Sequence, residues 1–151
     1  MPLFLVVANQ TLAGEALLRT IRSAMSWGAS FHIVVPATGR EHQLLHDDEH
    51  PETLARQRLE KILTLLRAEG AHATGEVGDP DPFRAVSNAV SEHKIDEIVL
   101  STLPRGLSRW IDSDLPERLR SAFKVPVTHV IVEVEQQPFT RSGDGPPPLC
   151  R

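Results

Sequence analysis

Two patterns of apolar residues alternate along the chain. "LFLVVA" (Leu3 to Ala8), "FHIVVPA" (Phe31 to Ala37), "DEIVLST" (Asp96 to Thr102) and "VPVTHVIVEV" (Val125 to Val134) are short runs rich in β-branched residues. Continuous apolar runs of this length predict strands covered on both faces. "AHATGEVGD" (Ala71 to Asp79) is a weaker strand signal and predicts a place near the sheet edge. Between these runs the spacing becomes helical. Leu12, Ala16, Leu17, Ile21, Ala24 and Met25 share one face, with Gly28 as the stop, and Leu54, Leu59, Ile62, Leu63 and Leu66 share another, with Gly70 as the stop. Asp81 predicts an N-cap with Pro82 at the first helical position, and Phe83, Val86 and Val90 as the buried stripe. A short last helix is expected from about Leu115 to Phe123.

The resulting order, β-α-β-α-β-α-β-α-β, is solved most economically by parallel strands with right-handed crossovers. The expected fold is therefore a three-layer, doubly wound α/β domain of five mostly parallel strands in order 3-2-1-4-5. It spans residues 1–135, and residues 136–151, rich in Pro and Gly without apolar period, are expected to be a flexible tail.

Composition narrows the function classes. The chain has 151 residues and a net charge of −4, so it offers no basic field for nucleic acid or an anionic membrane. Cys150 is the sole cysteine, which rules out an intramolecular disulfide or a cysteine cage. The apolar start is too short for a membrane span and lacks a basic leader, so a cytoplasmic location is expected. Arg outnumbers Lys 13 to 3, an association with GC-rich genomes. No serine sits in a Gly-x-Ser-x-Gly turn and no acid, base and nucleophile converge, so an enzyme is not the expected reading.

In open α/β sheets, ligands bind outside the carboxyl ends of the strands where the strand order reverses. That point lies here between "ANQT" (Ala8 to Thr11) and "STLPRGLSRWIDSDLPERL" (Ser101 to Leu119). The chain resembles the universal stress protein family from about Leu3 to Val134. The resemblance rests on "GEVGDPDPFRAVSNAV" and on "DEIVLSTLPRGLSRWIDSDLPERLRSAFKVPVTHVIV", with its "ERL" and "VPV" steps. Members of that family that bind ATP carry Gly-x2-Gly-x9-Gly-Ser/Thr in this loop. Counting back from "ERL", those positions fall on Leu100, Leu103, Ser113 and Asp114, and Gly106 is three residues from the second. The family's aspartate after the first strand corresponds to Asn9.

Leu103 and Pro104 replace the freedom of glycine, and Pro104 has no N–H for a phosphate. Asp114, with Glu117 three residues on, reads as a capping box whose carboxylate would take the helix N–H groups that hold a phosphate. A like charge about 6 Å from a phosphate costs about 3 kcal/mol at an effective dielectric of about 20, which is about two decades of affinity. Arg105 and Arg109 could offset this or pair with Asp112. The resemblance thus implies a regulatory or interaction protein that lacks the usual ATP site and has no cofactor.

The alternative is a nucleotide module with an altered crevice. In it Asn9 and Gln10 would contact base or ribose, the backbone near Val35 the base, and Ser101, Thr102, Arg105, Gly106 and Ser113 the phosphates.

His42, His46 and His50 are four apart, a metal-binding array on a helix, but "EHQLLHDDEHP" ends in proline and is expected to be a solvated loop. No metal is therefore expected. His32 is expected to be a strand histidine satisfied by one hydrogen bond. Trp110, beside Leu107 and Ile111, is expected to pack its loop on the sheet. The last strand, with "VIVEVE" alternation, is an expected exposed edge. The resemblance implies a homodimer paired through it, at Val127 to Val134, alongside an unidentified protein partner.

Overall fold

The computed structural model describes residues 2–12, 14–37, 50–104 and 109–132. Five strands, β1 (Leu3–Val7), β2 (Ser30–Pro36), β3 (Ala73–Gly78), β4 (Glu97–Thr102) and β5 (Val127–Ile131), form one sheet in the order β3-β2-β1-β4-β5. All four neighbouring pairs are parallel. The helices are α1 (Glu15–Met25), α2 (Pro51–Ala68), α3 (Pro82–Glu92), α4 (Arg109–Asp112) and α5 (Leu115–Ala122). The architecture is the three-layer, doubly wound domain that the alternating patterns predict.

Strand alternation sorts the core into two halves. Phe4, Val6, Phe31, Ile33, Val35 and Val99 point to one face and pack against Leu17 and Ile21 of α1 and Leu59, Ile62 and Leu66 of α2. Leu5, Val7, Val34, Ile98 and Leu100 point to the other and pack against Val86 and Ala89 of α3 and Leu115 and Leu119 of α5. Both faces are covered, which is why the strands read as unbroken apolar runs. Gly28 and Gly70 follow α1 and α2 at φ +87° and +93°, a left-handed turn that ends a helix without Cβ strain.

Three local expectations are corrected. Pro51 opens α2 instead of ending a loop, because its missing N–H is free of cost in the first turn. The buried stripe of α3 is Ala85, Val86 and Ala89, while Phe83 and Val90 are half-buried. The helix lies close to the sheet there: a Cβ on Gly78 would stand 2.9 Å from both Ala85 Cβ and Val34 Cγ1. Phe83 packs against the margin of this core, 5.7 Å from the Phe123 ring with Arg118 over its face. Finally, α4 lies inside the segment expected to be irregular. The 136–151 tail and residues 133–134 of the expected last strand lie outside the described residues. Among the described residues no helix is long and apolar enough to cross a membrane.

Candidate functional site

The exits of β1 and β4 lie side by side, as the sheet order requires, but their polar side chains bind one another. Thr11 Oγ1 and Ser101 Oγ are 2.7 Å apart, and both residues are buried. Thr102 Oγ1 donates to the Leu103 carbonyl at 2.9 Å and lies 2.8 Å from His129 Nε2. Burial and the nearby Arg120 charge push the His129 pKa below its ordinary value. The hydroxyls of Ser101 and Thr102 therefore tie β4 to β1 and β5.

Asn9 is only 6% exposed. Its Nδ2 donates to the Pro36 carbonyl at 2.7 Å, and its Oδ1 accepts from Arg58 Nη1. One side chain thereby joins the exits of β1 and β2 to the middle of α2. Burial lowers the Arg58 pKa from its ordinary value, yet an arginine stays cationic at ordinary pH. A cleft of about 400 Å³ opens beside this strut, lined by Asn9, Gln10, Leu12, Leu18, Arg58 and Lys61, with Ile62 and Leu65. It lies on the α1 and α2 side of the sheet. Asn9 and Gln10 thus line open space, whereas the Val35 side chain is fully buried in the α1/α2 core and Ser101 and Thr102 belong to the inter-strand ties.

At the other loop, Leu100 is a core residue inside β4, two positions before the strand ends. The glycine count from "ERL" therefore lands on the core, and Ser101 is the side chain that reaches the β1 exit. Leu103 is half-buried. Ser113 is exposed and its Oγ donates to the Trp110 carbonyl at 3.2 Å, closing the turn between α4 and α5. Trp110 packs against the α3/α5 core.

The expected capping box is not formed. Asp114 sits at φ +61°, ψ +30°, with no capping hydrogen bond from its side chain. A side-chain cap needs an extended backbone at that residue, so the left-handed turn aims the carboxylate elsewhere. Glu117 pairs with Arg120 at 2.7 Å. Asp114 remains an exposed negative charge at the start of α5. Arg105, Gly106, Leu107, His42 and His46, and the side chains of Arg109 and Asp112, lie outside the described residues. His50 is the N-cap of α2 and makes no side-chain cap.

Arg58 is the contact that sequence reasoning missed. Its signal was a cation at helical spacing from Leu54 and Ile62, on the stripe that faces the sheet. A second omission is His32, which meets polar partners at both ring nitrogens rather than one.

Among solved structures, the chain is similar to the structure of a universal stress protein from Archaeoglobus fulgidus, with a TM-score of 0.60 and 18% sequence identity. The match covers 86% of this chain and 98% of the other. No family model matches the chain, and no curated protein matches it by sequence. The similarity shows a universal-stress-protein-like fold.

Proposed function

We propose that the protein is a regulatory or interaction protein on a universal-stress-protein-like fold that does not bind ATP through a glycine loop. The observation that carries this reading is the mutual Thr11–Ser101 hydrogen bond at 2.7 Å, which occupies both strand exits with each other. It is supported by Leu103 and Pro104 where backbone N–H groups would have to approach a phosphate, and by the exposed charge of Asp114. Calorimetric titration of the full chain with ATP, with and without Mg²⁺, tests it. No heat is expected at millimolar ATP, and micromolar binding would overturn the reading. An Asp114→Gly variant removes the charge and suits the left-handed backbone. Binding gained in it would assign the refusal to that carboxylate.

A second reading, a nucleotide-binding module with an altered crevice, is favoured by the cleft beside Asn9 and Gln10, which Arg58 and Lys61 border. Under it the wild type binds ATP and a Lys61→Gln variant binds several-fold more weakly.

We propose further that two copies pair through β5. The support is its place at the sheet edge, the 46% exposure of Ile131, and a groove of about 620 Å³ running beside it from Trp27 to Thr128 and Val130. Sedimentation should give a dimer that Ile131→Glu converts to monomer. A monomeric wild type across the micromolar range removes this reading.

A further inference from the structure

On the α3 face of the sheet, away from the strand exits, three metal-ligating side chains converge from three elements. His32 is the third residue of β2, Glu76 the fourth of β3, and His93 the residue that ends α3. The His32 side chain is 6% exposed and that of Glu76 42% exposed. His32 Nε2 lies 3.1 Å from Glu76 Oε2, and the His32 and His93 ring centroids are 4.2 Å apart. One ligand atom from each of the three residues lies within 4.8 Å of the others.

A tetrahedral ion with bonds of about 2.0–2.1 Å holds its ligands about 3.3 Å apart. The His32–Glu76 pair already has that spacing. His93 stands at the end of α3 with a ligand atom within 4.8 Å of the other two, so binding requires its ring to move closer to the pair. The His32 ring is also held from its other nitrogen, because Nδ1 lies 2.8 Å from Thr74 Oγ1, directly across the β2–β3 ladder. A metal-bound histidine characteristically gives its other N–H to such an acceptor. A hydroxyl can serve as donor or acceptor. Thr74 can thus accept from Nδ1–H when Nε2 binds a metal, and donate to Nδ1 when Nε2–H faces Glu76.

We propose that His32, Glu76 and His93 form a binding site for a divalent transition cation of the zinc type, with His32 Nε2 as the buried ligand and a fourth position open to solvent. Two imidazoles and one carboxylate suit such an ion, whereas Mg²⁺ and Ca²⁺ prefer sets made of oxygen alone. The site shares no residue with the crevice, so it stands or falls apart from the ATP question.

The probe is Zn²⁺ alone, titrated calorimetrically into the full chain, with Mg²⁺ as control. One equivalent is expected at micromolar affinity, with no Mg²⁺ heat. His93→Gln and Glu76→Gln, both at partly exposed positions, should weaken it at least a hundredfold. Thr74→Val should weaken it about 10- to 100-fold. A variant combining H42Q, H46Q, H50Q and C150S removes the histidine array and the cysteine and should keep the equivalent. The proposal is overturned if the wild type binds no Zn²⁺ below millimolar, if binding survives His93→Gln and Glu76→Gln, or if it vanishes in the combined variant. Circular dichroism of each variant separates a lost ligand from a lost fold.

Discussion

Replacing Leu100 with glycine is expected to destabilise the fold by about 2.5–6 kcal/mol, and replacing the adjacent Ser101 with glycine by only about 1–2.5 kcal/mol. Leu100 is fully buried among Leu5, Val7, Leu115 and Leu119, with Val7 and His129 as its ladder partners. Truncating such a leucine to alanine costs about 2–5 kcal/mol in transfer and cavity energy. Glycine in a strand adds about 0.5–1 kcal/mol in backbone entropy. Ser101 faces the opposite side and loses mainly its bond to Thr11, a net contribution of about 0.5–1.5 kcal/mol, plus the glycine entropy. Since whole domains are stable by about 5–15 kcal/mol, the first change should take up much of the margin and the second little of it. Urea denaturation at fixed m-value reads both. Equal costs at the two positions would mean that Leu100 is not the core residue described. The consequence for function is that a phosphate loop could be rebuilt only from Ser101 onward, because a glycine one residue earlier removes the support beneath α5.

This boundary between Leu100 and Ser101 also separates what was legible in the sequence from what was not. Burial on both faces leaves a continuous apolar run, and helical burial leaves a 3.6-residue stripe, so strand order, helix faces and the stops at Gly28 and Gly70 follow from local pattern. Pairings between distant residues leave no such trace. Thr11 and Ser101 are 90 positions apart, and either hydroxyl alone reads as a turn residue. Asp114 and Glu117 matched the sequence form of a capping box, but α4 ends just before them and sets the chain at φ +61°, where the box cannot close. His32 read as a bland core residue because its partners arrive from β3 and from the end of α3, with no spacing between them for a motif to capture.

Asn9 poses the same problem in its sharpest form, since a polar residue at a strand exit reads equally as a ligand contact or as a structural strut. The geometry favours the strut. Asn9→Ala is expected to cost about 2–4 kcal/mol: it removes a bond from a charged donor, worth about 1.5–3 kcal/mol, and the amide donor at the Pro36 carbonyl. Arg58→Met keeps the aliphatic stem of the side chain while deleting its cation, and should cost about 1.5–3 kcal/mol, the worth of the same bond. If the two residues act as one unit, the double variant costs less than the sum, with a coupling of about 1–2 kcal/mol within the 0.5–3 kcal/mol typical of residues in contact. Asn9→Asp should fall between wild type and alanine. It keeps an acceptor for Arg58 but sets a carboxylate oxygen against the Pro36 carbonyl. A coupling near zero, with an unchanged midpoint in Asn9→Ala, would release Asn9 from its structural role and return it to the cleft as a ligand contact. A large coupling would mean that anything entering the cleft meets a strut already under load, and that its recognition falls to Gln10 and Lys61 at the cleft wall.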